Sequence, residues 1–180
     1  MAKLHLGCGN EILEGWINHD RVFLPGVDIV HDLSTFPWPF ESAAFTAIRM
    51  FHILEHLSDT VGTMEELHRI STPGAQLTIR VPYWNSLDSA TDPTHKAAFS
   101  QYSFDYFDPS RRHCRERPYY STARFRIDQI HYWYKLRGYR RISRGPLHRL
   151  LAFAARHVCS VIWVLEIELT ALKGHDGDAR

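Results

Sequence analysis

Leu4-His5-Leu6-Gly7-Cys8-Gly9-Asn10 decides the fold: an apolar, strand-like run breaks into two glycines within the first ten residues. Two glycines one residue apart, directly after a buried strand, let the backbone turn sharply and approach a ligand more closely than any side chain permits. Asn10 can donate or accept at the same edge. In open α/β sheets ligands sit beyond the carboxyl ends of the strands, so this turn is expected to mark a crevice for a nucleotide-like ligand. The full dinucleotide fingerprint is absent, because position 12 is Ile and not Gly.

Working outward, Trp16-Ile17-Asn18-His19-Asp20 reads as a second strand ending in a carboxylate, and Val27-Asp28-Ile29-Val30-His31-Asp32 as a third ending in another. An acid at the end of the second strand, Asp20, can take both hydroxyls of a ribose. Residues 44–50 read as a fourth strand, 76–82 as a fifth, 125–134 as a sixth and 161–172 as the last, with Glu166, Glu168 and Thr170 on one face. Between the fourth and fifth, residues 59–71 place Val61, Met64, Leu67 and Ile70 at a spacing of three, which predicts one buried helical face, stopped by Pro73-Gly74. Residues 147–159 read as an apolar helix.

At 180 residues and 44% apolar content the chain suffices for one globular domain, 1–180, with its own core. Met1-Ala2-Lys3 leads into a strand with no long apolar run, so a cytoplasmic address is expected. Residues 150–165 carry Arg156 and His157, and their apolar run falls short of the roughly 20 residues of a membrane span. Cys8, Cys114 and Cys159 have neither the number nor the spacing of a disulfide framework. Residues 1–90 hold 5 Lys and Arg against 11 Asp and Glu, and residues 91–180 hold 16 against 9. The basic residues, clustered at Arg111-Arg112, Arg115, Arg117 and 137–144, are otherwise spread widely, which reads as solvated surface more than as a nucleic-acid face.

Further motifs follow the strands in order: Gly15-Trp16-Ile17-Asn18-His19-Asp20, Asp32-Leu33, Pro37-Trp38-Pro39, Leu54-Glu55-His56-Leu57 and Pro73-Gly74. Over residues 3–82 this succession resembles the class I S-adenosylmethionine-dependent methyltransferases, in particular a compact, methyltransferase-type-11-like group. The resemblance implies a Rossmann-like α/β fold: seven mostly parallel strands with an antiparallel last strand, and helices on both faces. It implies S-adenosylmethionine as cofactor, held by Gly7, Cys8, Gly9, Asn10, Asp20, Asp32, Leu33, Phe51 and His52, with Asp32 and Leu33 on the adenine side. The acceptor it implies is a small molecule, a hydroxyl of a sugar or secondary metabolite.

His52-Ile53-Leu54-Glu55-His56 has a rival reading, because His-x-x-Glu-His on a helix is the inverted zinc-peptidase pattern. A third ligand such as Glu65 or Glu66 would lie only about ten residues on, far nearer than that family places it, so no metal is expected. His52 is expected beside the methyl donor, with Glu55 and His56 shaping the turn. Residues 83–120, rich in Tyr, Phe and Asp without a strong period, read as a substrate-side lid. Within it Asp92-Pro93-Thr94-His95 resembles an Asp-x-Thr-His of the same group, which makes His95, with His52 second, the catalytic candidate as base or substrate ligand. The helices that often precede the first strand in this superfamily have no counterpart before residue 3, so Tyr83, Trp84, Phe104 and Tyr106, or a second copy of the chain in a homodimer, are expected to close the site. Two alternatives are a catalytically silent binding or scaffold protein and an RNA methyltransferase. The second lacks both an Asn-Pro-Pro-Tyr-type motif and a separate RNA-binding module.

Overall fold

Leu4 and Leu6 of β1 (Ala2–Leu6) are fully buried on one side of the strand, and the parallel register carries that side across the sheet. Leu4 and Leu6 lie level with Ile48 and Met50 of β4 (Phe45–Phe51), and these with Leu77 and Ile79 of β5 (Ser71–Pro82). The row continues into Leu169 and Ile167 of β8 (Val164–Ala171), paired antiparallel to β5. β2 (Ile17–Asp20) and β3 (Ile29–Val30) extend the sheet on one side, β6 (Phe125–Lys135) and β7 (Tyr139–Ile142) on the other, in the order β3-β2-β1-β4-β5-β8-β6-β7. The computed structural model describes residues 2–135 and 138–173, so Arg137 of the expected basic cluster lies outside the described residues.

Among the described residues the sheet has eight strands and not seven. Tyr139–Ile142 pairs antiparallel with the end of β6, Lys135 facing Tyr139 and Tyr132 facing Ile142. Its sequence, Tyr-Arg-Arg-Ile, carries two charges in four residues, and strands of that kind are tolerated only at an edge, where it sits. The last strand, β8, is antiparallel to β5, as expected, and lies between β5 and β6.

Helical cover is uneven. α1 (Thr60–Ile70) packs Met64, Leu67 and Ile70 into the core, with Asp59 capping its start by accepting from the Gly62 N–H at 2.8 Å. Truncating Met64 or Leu67 to Ala costs about 2–5 kcal/mol by the usual cavity cost. α4 (Pro146–Ala154) stacks His148 on Tyr132, the neighbour of Leu165 on the apolar side of the sheet. It ends at Ala154, short of the expected Cys159, where Asn85 Nδ2 donates to the Ala155 carbonyl at 2.7 Å. The crossovers from β1 through β4 contain no helix: the one from β1 to β2 spans ten residues, too few for a helix and its two turns.

The opposite side of the sheet is polar. His5, Arg49, Thr78 and Glu168 form one row, Phe51, Arg80, Glu166 and His131 the next. Arg49 and Arg80 lie over the Phe51 ring at 4.1 and 4.0 Å, Arg80 pairs with Glu166, and Arg141 bridges Glu166 and Glu168 at 2.9 and 3.0 Å.

Residues 83–120 contain the short helices α2 (Leu87–Thr91) and α3 (Arg112–Glu116) and are not a loose cover. Tyr83 and Phe104 are buried in the core, with Tyr83 Oη donating to Gln101 at 2.6 Å, and Tyr106 is stacked between His113 and Tyr120. Aromatic area goes to the core first. Of the four residues expected over the site, only Trp84 is exposed.

Candidate active site: two cavities at the strand ends

The glycine turn after β1 requires its glycines for separate reasons. Gly7 has φ +65°, and a Cβ there would lie 2.1 Å from Ile53 Cδ1, so no side chain fits. Gly9 has φ +51° and open space around it. Its N–H donates to Asp20 Oδ2 at 2.8 Å, and the Val22 N–H to Oδ1 at 3.1 Å. Each oxygen of that carboxylate therefore keeps a free lone pair at the end of β2.

Gly7, Asp20, Asp32, Leu33, His52 and Ile53 line a cavity of about 400 Å³, with His19, His31 and His56 also in its wall. Backbone bonding from the Ser34 N–H, at 2.9 Å from Oδ1, holds Asp32 below the usual carboxylate range. His19 is buried and bonded through Nε2 to the His31 carbonyl at 3.0 Å, and burial lowers its pKa. Cys8 turns into the core, where burial raises its thiol pKa, and neither Gly9, Asn10 nor Phe51 lines the cavity. Strand alternation explains Phe51: Met50 faces the core, so Phe51 faces the polar side between Arg49 and Arg80.

His52 follows at the end of β4 with φ +56°, a left-handed conformation that costs a non-glycine residue about 1 kcal/mol or more. Its N–H is tied to the Arg80 carbonyl at 2.9 Å. A second cavity of about 310 Å³ begins on its far side, lined by His52, Glu55, His56, Pro82, Asp88, Thr91, Asp92 and His95. His52 and His56 belong to both walls.

His95 reaches this place through the backbone. The N–H groups of Lys96 and Ala97 donate to the Glu55 carbonyl at 2.7 and 3.2 Å, and Tyr83 bridges to Phe99. The His95 ring then meets the His56 ring edge-on at 4.8 Å, with His95 Nδ1 at 3.0 Å from the Ser89 carbonyl. His52 and His95 therefore line one cavity. Asp88, Thr91, Asp92, Glu55 and His56 join them without having been singled out as site residues. The sequence shows the Glu55-His56 pair as a zinc-like spacing and as part of the Leu54-Glu55-His56-Leu57 turn.

No protein-family model matches the chain. No curated protein matches it at a significant level. Solved structures match over nearly its whole length. A S-adenosylmethionine-dependent methyltransferase from Archaeoglobus fulgidus superposes with a TM-score of 0.61 at 17% identity, covering 94% of this chain and 85% of the other. One from Aquifex aeolicus gives 0.54 at 13%, covering 96% and 82%. The chain has the class I methyltransferase fold. The [4+2]-cyclase SpnF, at a TM-score of 0.52, 11% identity and coverage of 96% and 75%, is also similar to it, so the methyltransferase fold by itself leaves the reaction to the site. No helix of the described residues is long and apolar enough to cross a membrane.

Proposed function

We propose that the chain binds S-adenosylmethionine in the first cavity and transfers its methyl group to a hydroxyl of a small molecule, a sugar or a secondary metabolite, in the second. The observation that carries this reading is the shared wall: His52 and His56 border both cavities, so a donor in one and an acceptor in the other meet across them. The first cavity fits the donor. Its volume of about 400 Å³ lies within the range of small-ligand sites, Gly7 lets the backbone approach, and Asp20 keeps acceptor lone pairs for two ribose hydroxyls. Asp32 and Leu33 take the adenine end.

A bound sulfonium supplies an electrophilic methyl, and an oxygen placed in line with it needs little beyond position. Position is what the chain provides. His52 is held at the boundary by its constrained backbone, and His95, the favoured catalytic residue, is fixed by its Nδ1 bond in the wall of the second cavity, where it orients the acceptor. Two carboxylates in the second wall, Asp88 and Asp92, accept hydrogen bonds from a polyol and repel a phosphate. The basic residues of the second half also argue against nucleic acid, since Arg111, Arg112, Arg126 and Arg141 are already paired with carboxylates.

Calorimetric titration with S-adenosylmethionine or its demethylated product tests the donor half. Asp20→Ala is expected to weaken binding roughly tenfold to hundredfold, the worth of hydrogen bonds to a charged group. No heat and no thermal shift at millimolar ligand, with Asp20→Ala behaving as the parent, overturns it. Mass spectrometry across a panel of sugars and secondary metabolites tests the acceptor half. Donor binding without any methylated product leaves a binding protein.

A further inference from the structure

We propose that Glu55, His56 and His95 bind a divalent transition-metal ion of the zinc class at the floor of the second cavity, where it holds the acceptor's oxygen. The inference rests on the methyl-transfer reading for the ion's role, but not for its binding. One donor atom from each of the three residues lies within 4.8 Å of the others. Two imidazoles and a carboxylate with room for a further ligand form the donor set of open zinc sites and of facial two-histidine, one-carboxylate sites.

Glu55 is the decisive residue. It is 1% exposed, and neither carboxylate oxygen has a hydrogen-bond partner. His52 Nδ1 stands 3.4 Å from Oε1 without hydrogen-bond geometry. A buried carboxylate left in this state is costly and calls for a partner. Among the described residues no Lys or Arg pairs with it.

The two histidines are preset as ligands. Thr94 Oγ1 gives its one proton to Asp92 Oδ1 at 2.7 Å, so toward His56 it accepts, and His56 Nδ1 donates at 3.0 Å. His95 Nδ1 donates to the Ser89 carbonyl at 3.0 Å. Both rings are thereby held in the tautomer that leaves Nε2 with a lone pair, which is how metal-binding histidines are oriented from behind. Asp92 Oδ2, at 4.0 Å from His95 Nε2, adds negative charge at the same edge.

A second cluster, of one histidine and two carboxylates, provides the contrast. His131, Glu166 and Glu168 also lie within reach of a common ion. There Arg141 Nη2 already stands among them, at 2.6, 2.9 and 3.0 Å from the three groups, and supplies the cation. The Glu55 cluster, with one carboxylate and two histidines, has no such arginine among the described residues.

The third ligand is also what sequence spacing lacked: it comes from His95, 39 residues after His56, and not from Glu65 or Glu66. The full chain, stripped with a chelator and dialysed, is titrated with zinc chloride in a calorimeter, with elemental analysis of the product and no donor present. About one ion per chain is expected, at micromolar affinity or tighter, with Glu55→Gln and His95→Ala each weakening it about a hundredfold or more. His157→Ala, an exposed histidine far along the chain, is expected to bind as the parent does. Where Glu55→Gln does not fold, His56→Ala carries the same expectation beside His95→Ala. Absence of stoichiometric uptake by the parent, or undiminished uptake by the folded ligand variants, overturns the site. Loss in His157→Ala does so too. Donor binding measured on the same preparations separates this failure from failure of the methyl-transfer reading, since Asp20 and Gly7 do not touch the ion.

Discussion

The two cavities are built by opposite means. The first is assembled mostly from strand ends between Gly7 and Leu57, each a short step from the last, with Thr94 and Lys96 added at its rim, and its polar groups are mostly backbone or backbone-bonded: Gly9 N–H on Asp20, Ser34 N–H on Asp32, the His31 carbonyl on His19. The second joins residues 52–56 to residues 88–95 across a long excursion, and its polar groups are side chains left partly bare. A site made of backbone tolerates little substitution and binds a fixed shape. One made of bare side chains is free to change its ligand while the fold is kept.

The sharpest way to break this comparison is at Gly7. Gly7→Ala puts a methyl group 2.1 Å from Ile53 Cδ1 in a left-handed conformation, so the turn has to move. Donor binding is expected to fall beyond calorimetric detection while the second cavity's residues stay in place. Gly9→Ala meets no atom within 4 Å and is expected to cost far less. Equal losses at the two positions would mean that φ alone, and not the close approach to Ile53, governs the turn.

Next in size is His95→Ala. Turnover is expected to fall about a hundredfold or more with donor affinity unchanged, the pattern of an interaction made only on the acceptor side. Steady-state kinetics on an accepted substrate, with donor titration beside it, reads both. Lost donor affinity would join the two cavities into one site, and unchanged turnover would move the acceptor role to His52.

The same contrast explains what could be read from the sequence. Gly7, Asp20, Asp32 and Leu33 were legible because each stands at the end of a strand whose apolar pattern is local, and the rules for strand ends place it. Phe51 was misplaced by one position: alternation sends it to the polar side, and the turn of the chain at His52 lies one residue later. Glu55 and His95 were not legible as partners because they meet through Lys96 and Ala97 N–H groups on the Glu55 carbonyl and through the Tyr83 to Phe99 bridge, contacts with no local signature. Tyr83 and Phe104 misled for a physical reason. A run rich in aromatics looks the same in sequence whether it covers a ligand or fills a core, and here it fills the core.

The smallest expected effect is on stability, and it belongs to the first cavity's wall. His19 is buried with Asp20 and His31 as its charged neighbours, and burial, the largest influence, lowers its pKa from the usual 6.5. The unfolded chain therefore takes up a proton near pH 6.5 that the folded chain refuses. Stability from this source is complete above about pH 6.5 and is lost as pH falls from there toward the folded value. His5 and His68 are shifted in the same direction, also mainly by burial. Scanning calorimetry at fixed ionic strength is expected to show the melting temperature falling by a few degrees between pH 7.5 and 5.5. His19→Gln keeps a donor for the His31 carbonyl but cannot be protonated, so its fall over the same range should be shallower, the remainder coming from His5 and His68. An unchanged slope would show that the first cavity's wall is already hydrated and charged in the folded state, and the contrast between a backbone-built and a side-chain-built cavity would lose its energetic part.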